Sequence, residues 1–284
     1  MPFATAPSGV RLHYRALGHG PVPVVLLQGL GLSGSFWFGL PAALAGATPN
    51  TAALDVDGAS PYRVLVPDNR GTGRSDRPRR PYPIGAMADD VAAVLDAEGI
   101  AAAYVVGISL GGMVAQSLAL RHPARVRGLV LLATVPGLPH ARLPNLRATR
   151  RLLALPFLRG DALAGLGRVL LSPAAEPRAS ELLADWPAMF RAEPRDPSTY
   201  GLQLVAALTH LAGTRSARIR CPVHVIVGEG DQLIAPRNAE RLHRLLPDAT
   251  LERLPAVGHG IPLEDPLAVA RGLARLRRRA DARR

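Results

Sequence analysis

At 284 residues, 48% of them hydrophobic, the chain has the length and apolar content for one large α/β domain with an insertion. No window of about 18 uninterrupted apolar residues occurs, which argues against a membrane-spanning helix, and the first residues lack the charged and apolar regions of a secretory signal, so a cytoplasmic location is expected. The formal charge of +12 rests entirely on arginine; with no nucleic-acid motif and only 4% aromatic residues beside it, this reads as the composition of a GC-rich genome and no nucleic-acid partner is expected. The lone cysteine, Cys221, excludes an internal disulfide, suits a reducing compartment, and is expected to be a small core residue.

Residues 10–16 alternate apolar and polar side chains as an edge strand does, and Gly18-His19-Gly20-Pro21 turns the chain. The run VPVVLL at 22–27 predicts a strand buried on both faces. It ends in a glycine-rich loop, 28–35, at the strand's carboxyl end, where ligands sit in a parallel α/β sheet. Residues 36–45 predict a short helix broken at Pro41, and 50–61 a polar surface loop. Residues 62–67 (YRVLVP) predict the next buried strand, leading into DNRGTGRSD at 68–76, whose Asp and Asn side chains can hydrogen-bond its turns. Ile84, Met87, Val91, Val94 and Leu95 recur at helical spacing, and Gly99 closes that helix.

Residues 101–123 read as an apolar strand, a tight turn and an amphipathic helix stopped by Pro123, and 126–133 as another strand. This alternation predicts a doubly wound, mostly parallel sheet. From 136 to 196 the strand pattern disappears in favour of proline-punctuated, helix-like stretches at 147–155, 161–171 and 180–190. That segment is expected to be a helical cap inserted into a core made of 1–135 and 197–284. A helix at 200–211 returns to the core, followed by a strand at 223–227, a helix at 239–246, a strand at 250–254 and a helix at 267–276, which ends in Arg277-Arg278-Arg279, a run that suits a helix C-terminus electrostatically and is otherwise a frayed tail.

The chemistry concentrates at the turn Gly107-Ile108-Ser109-Leu110-Gly111, which matches G-x-S-x-G. Side chains two positions either side of the serine would collide in so sharp a strand-to-helix bend, and the following helix aims its positive end at any oxyanion beside the hydroxyl. Serine is also a favoured helix N-cap, but the paired glycines favour a nucleophile. A serine hydroxyl needs a base, and the base needs an orienting acid. Asp231 follows the strand at 223–227 and is preferred over Glu229, although an Asx-turn would equally suit it. Of 8 histidines, only His259 lies in a glycine-flanked loop after a late strand. All three candidates fall at carboxyl ends of strands. Backbone N–H groups of Leu110 and of Leu30, in the loop after 22–27, are the expected oxyanion donors. With no H-E-x-x-H, cysteine pair or G-K-[ST], neither a metal nor a cofactor is expected.

The segments VVLLQGLGLSGSFW, YRVLVPDNRGTGRSDRP, VVGISLGGMVAQSLALRHPARVRGLVLLA, VHVIVGEGDQLIAP and VGHGIPLEDP, in that order, resemble the α/β-hydrolase superfamily over nearly the whole chain. The resemblance implies an eight-stranded sheet, a cap after its sixth strand, and Ser109, Asp231 and His259 as a triad; within the superfamily the flavour is that of small bacterial serine esterases and enol-lactonases. Relatives usually carry His-Gly where this chain has Gln28-Gly29, the histidine there ordering the loop. Serine at 109 argues against the dehalogenase and epoxide-hydrolase branches, whose covalent ester requires a carboxylate. The expected function is a serine hydrolase that cleaves a small-molecule carboxylic ester or lactone. The alternatives are a cofactor-free lyase, cyclase or acyltransferase, or a ligand-binding protein without turnover, against which a complete triad speaks. Leu152, Leu153, Leu155, Phe157 and Leu158 of the predicted cap are expected to face inward and favour an apolar acyl or alcohol group.

Overall fold

The structure is a computed structural model and describes residues 2–47, 62–142, 144, 146–154, 167–193 and 196–283. The strands are β1 (Phe3–Thr5), β2 (Arg11–Leu17), β3 (Val22–Leu27), β4 (Tyr62–Pro67), β5 (Ala103–Ile108), β6 (Val126–Leu132), β7 (Val223–Gly228) and β8 (Ala249–Leu254). They form one eight-stranded sheet in the order β1-β2-β4-β3-β5-β6-β7-β8. The β1–β2 and β2–β4 pairs are antiparallel, and every later pair is parallel. The predicted strands stand where the apolar runs put them. The addition is β1, too short to show alternation, which pairs Phe3 with His13 and sets the Phe3 ring under the Arg11 guanidinium, 4.7 Å from its centroid.

Because side chains alternate along a strand, the continuous apolar runs supply both faces of the sheet. Val25, Leu27, Val105, Leu131 and Val225 face one core, packed by α2 (Ile84–Ala97), α3 (Leu110–Arg121) and α8 (Arg237–Leu245). Val24, Leu26, Val106, Leu132 and Ile226 face the other, covered by α1 (Leu40–Leu44) and α10 (Pro266–Asp281) through Leu40, Leu44, Val269, Leu273 and Leu276. All five apolar residues that predicted α2 are buried in the first core.

Three expectations are corrected. The helix α3 is not amphipathic: every residue from Leu110 to Ala119 is buried, because it lies against the sheet with α2 beside it. The helix expected at 267–276 runs on to Asp281 as α10, so the arginines 277–279 are not a frayed tail but part of it, Arg278 and Arg279 in the last turn as suits a helix C-terminus; Arg279 holds Asp248 at 2.6 Å and the Val223 carbonyl at 3.2 Å, tying the helix to the start of β7. The 36–45 stretch divides into a 3-10 turn, Gly34–Trp37, and α1, with Pro41 in the first turn of the helix, where a missing N–H costs nothing.

The described parts of 136–196 contain α4 (Leu146–Ala154), α5 (Ala179–Leu182) and α6 (Trp186–Ala192), and no strand. The 180–190 prediction is thus two helices, parted by a turn at 183–185, the second starting at Trp186 with Pro187 in its first turn. Then α7 (Pro197–Leu208) begins with Asp196 accepting from the Ser198 N–H at 2.8 Å. The loop expected at 50–61 and most of the helix expected at 161–171 lie outside the described residues. Burial pushes the Cys221 thiol up to about 12, in keeping with a core residue. No helix of the described residues is long and apolar enough to cross a membrane.

Candidate active site

Ser109 ends β5 and begins α3 with φ 54° and ψ −117°. For a non-glycine residue such a backbone stores about 1–3 kcal/mol, so its surroundings must hold it. Its N–H donates to the Leu132 carbonyl at 2.9 Å, and its carbonyl accepts from Thr134 Oγ1 at 2.6 Å. The flanking glycines are needed for space: a Cβ at Gly107 would collide with the Gly111 carbonyl, and one at Gly111 with the Leu27 carbonyl. As a helix cap the Ser109 side chain does nothing, since it makes no capping hydrogen bond.

Asp231 follows β7, and His259 follows β8. The His259 Nδ1 and Asp231 Oδ2 atoms are 2.8 Å apart, with side-chain exposures of 8% and 0%. An ionised carboxylate fixes Nδ1 as the protonated nitrogen and leaves Nε2 as an acceptor. The other Asp231 oxygen, Oδ1, accepts the N–H groups of Leu233 at 2.7 Å and Ile234 at 2.8 Å. The Asx-turn and the pairing with histidine therefore coexist on one carboxylate. Glu229 is exposed and takes no part.

Ser109 and His259 border the same apolar cleft. Ser109 Oγ and His259 Nε2 carry no hydrogen bond among the described residues; without substrate, such bonds are often long. Leu30 lines the cleft too, and Leu110 borders its far side. Neither backbone N–H meets an acceptor among the described residues. Their neighbours are taken: Gly29 N–H goes to the Gln28 side chain at 2.7 Å, and Gly31 N–H to Gln203 Oε1 at 2.9 Å. Gln28 thus orders its own loop, and Asn69 Nδ2 holds the Gln28 carbonyl at 3.0 Å.

Among the predicted cap residues, Leu152 lines the cleft, whereas Leu153 is 54% exposed and faces away. Leu155, Phe157 and Leu158 lie outside the described residues.

The match to the α/β hydrolase fold family covers residues 22–266, most of the chain. The chain belongs to the α/β-hydrolase superfamily. Its similarity to RutD of a Caulobacter species, named for carbamate hydrolysis, is 32% identity over 86% of each chain. Among solved structures, an N-acyl homoserine lactone degrading enzyme superposes with TM-score 0.75 at 30% identity, covering 96% of this chain and 99% of its own. The enol-lactonase of Burkholderia xenovorans gives TM-score 0.78 at 26% identity, covering 97% of this chain and 99% of its own.

Two residues of this α/β hydrolase escaped the sequence reading. Gln203 on α7 is fully buried and bridges two loops, accepting from Gly31 and donating through Nε2 to the Arg70 carbonyl at 2.8 Å. Glu264, in the short helix α9 (Ile261–Glu264), accepts the Gly258 N–H at 2.8 Å, the Ser172 N–H at 3.0 Å and the Ser172 hydroxyl at 2.7 Å. It therefore pins the loop that carries His259 to the segment entering α5. Nothing local marks either residue, because each acts across long sequence separations. Among the described residues no cluster of His, Cys, Asp or Glu suits a metal ion.

Proposed function

We propose that this α/β hydrolase is a serine hydrolase of carboxylic esters or lactones, with Ser109 as nucleophile, His259 as base and Asp231 as the acid that orients it. The observation that carries the reading is that His259, paired with the buried Asp231 at 2.8 Å, borders the same apolar cleft as Ser109. His259 Nε2 takes the proton of Ser109 Oγ as the oxygen attacks the substrate carbonyl carbon. The carbonyl oxygen becomes an oxyanion between the N–H groups of Leu30 and Leu110, donors that meet no acceptor among the described residues. Collapse breaks the bond to the leaving oxygen, which receives the proton from the imidazolium, and an acyl-enzyme remains. A water deprotonated by His259 then releases the acid and restores the hydroxyl.

The similar lactone-degrading structures support a carbonyl–oxygen bond as the target. Residues 136–196 act in this reading as a cap, because Leu152, Trp186 and Phe190 of that segment line the cleft while the core supplies the three reacting groups.

Steady-state hydrolysis of p-nitrophenyl esters by the wild type, Ser109→Ala and His259→Ala tests it. The expected result is a loss of kcat by a factor of about a thousand or more in both variants, with unchanged thermal stability. Turnover that survives Ser109→Ala would overturn the assignment.

A further inference from the structure

The cleft at Ser109 has two lobes. One runs beneath α6 and is lined by Leu32, Phe36, Phe38, Leu170, Trp186 and Phe190. Its aromatic rings pack on one another, with Phe36 4.8 Å from Phe190 and 5.4 Å from Trp186 between centroids. The second lobe lies between α3 and α7, against Met113, Val135, Leu138, Leu204, Ala207 and Ile234. Leu30, Leu152 and Leu233 border both lobes, and so do Ser109 and His259. The reacting atoms stand at the junction rather than at the end of a single pocket.

The walls also define the charge of what fits. In the first lobe, no Asp, Glu or Arg occurs among the described lining residues. Its neutral polar groups are largely engaged: the Tyr200 hydroxyl donates to the Leu152 carbonyl at 2.9 Å, and Gln28 holds Gly29. Trp186 Nε1 is a buried donor without an acceptor, and a single neutral donor does not replace the hydration of an anion. The second lobe has Arg142 as its charged member, and that side chain is exposed. Among the described residues, an ionised group drawn into either lobe would lose its water and meet no buried counter-charge, at a cost of several kcal/mol.

Resting on the serine-hydrolase reading above, we propose that the substrate is an uncharged, open-chain carboxylic ester with an apolar acyl arm in one lobe and an apolar alcohol arm in the other. An ester drawn across the junction sends its halves in opposite directions from the carbonyl carbon held at Ser109 Oγ. A simple lactone ties both halves into one ring and can enter only one lobe, leaving the other surface unburied. Attack forms the Oγ–carbon bond and breaks the bond between carbonyl carbon and alkoxy oxygen. The alcohol then leaves from one lobe while the acyl group stays in the other.

The test is a grid of kcat/KM values for the full-length protein, from acetate to octanoate esters combined with methanol to hexanol. Succinate monoesters and unsubstituted lactones of matched carbon number are run alongside. Lengthening either arm alone should raise kcat/KM roughly fourfold per methylene until its lobe is full, the factor given by about 0.8 kcal/mol per buried CH₂. Succinate monoesters should fall at least tenfold below their neutral counterparts, and lactones below the open-chain esters. Leu32→Trp, narrowing the first lobe, and Ala207→Phe, narrowing the second, should shorten the tolerated chain on opposite sides of the ester.

A gain confined to one arm, both variants acting on the same arm, or lactones exceeding matched esters would overturn the two-armed substrate. Each of those outcomes leaves Ser109-dependent turnover intact. By contrast, no turnover of any ester together with no labelling of Ser109 by a fluorophosphonate would remove the serine-hydrolase reading, and the two-armed substrate with it.

Discussion

Gln203 carries no charge and touches no cleft wall, yet it decides which N–H groups of the 29–31 loop are free. With Gly31 held by its Oε1 and Gly29 by Gln28, Leu30 alone is left to face the cleft. A Cβ at Gly31 would collide with the Tyr200 ring, so the loop is also wedged sterically from α7. Replacing Gln203 by Met keeps the volume and removes both hydrogen bonds, which leaves the half-buried Gly31 N–H without this acceptor, at about 1–3 kcal/mol, and the Arg70 carbonyl with the Tyr82 hydroxyl at 3.4 Å. The expected outcome is a lowered melting temperature and a kcat reduced roughly tenfold or more with KM nearly unchanged, since in the proposed mechanism a displaced Leu30 N–H acts on the transition state. Steady-state kinetics with a melting curve checks this; a KM effect without loss of kcat would contradict the positioning role. Ser109 was legible because its flanking glycines are a local steric necessity. Gln203 was not, because its partners lie far away in sequence.

Among the elements, α6 illustrates how the predicted cap is fastened. At its C-terminal end, Glu193 accepts hydrogen bonds from the hydroxyls of Ser33 and Ser35, the latter at 2.7 Å. Those serines begin the 3-10 turn after the 29–31 loop, so one carboxylate links the aromatic wall to the core. On the other flank Glu264 binds Ser172. Glu193→Ala should therefore loosen α6 without disturbing the pair His259–Asp231. Hydrogen exchange within 167–193 is expected to rise about tenfold, the effect of losing roughly 1.4 kcal/mol of charge-assisted bonding. The KM for esters with long apolar arms is expected to rise as well. Exchange rates equal to wild type would show that Glu193 does not fasten the helix. Buried strands are readable as apolar runs between turns, and the α2 helix from apolar spacings of three and four residues. The division of 180–190 at the turn 183–185 and the latch at Glu193 depend on what the helices pack against, which periodicity does not encode.

For the whole molecule, one buried base links stability to pH. His210, at the end of α7, is held down to about 4 by burial, from an ordinary 6.5, and its Nε2 has no hydrogen-bond partner among the described residues. Between those values the unfolded chain binds a proton that the folded protein excludes. The stability from the neutral imidazole is complete above about pH 6.5 and lost as pH falls toward about 4, up to roughly 3 kcal/mol. Melting temperatures across this range should fall less steeply for His210→Leu than for the wild type. Parallel curves would refute the linkage.

Taken alone, the sequence determined the sheet, because buried parallel strands must be continuous apolar runs between turns. It likewise determined the turn at 107–111, because a serine in so tight a bend requires glycine on both sides. Order along the chain nominated Asp231 and His259, since each follows a strand at the edge where Ser109 stands. The tertiary structure alone decided what occupies the space above that edge. It brought His259 to 2.8 Å from Asp231, buried α3 on every side, recruited Gln203 and Glu264 to hold loops distant in sequence, and divided the cleft into two apolar lobes. These features arise from contacts between segments that share no local pattern, so only the packed chain defines them.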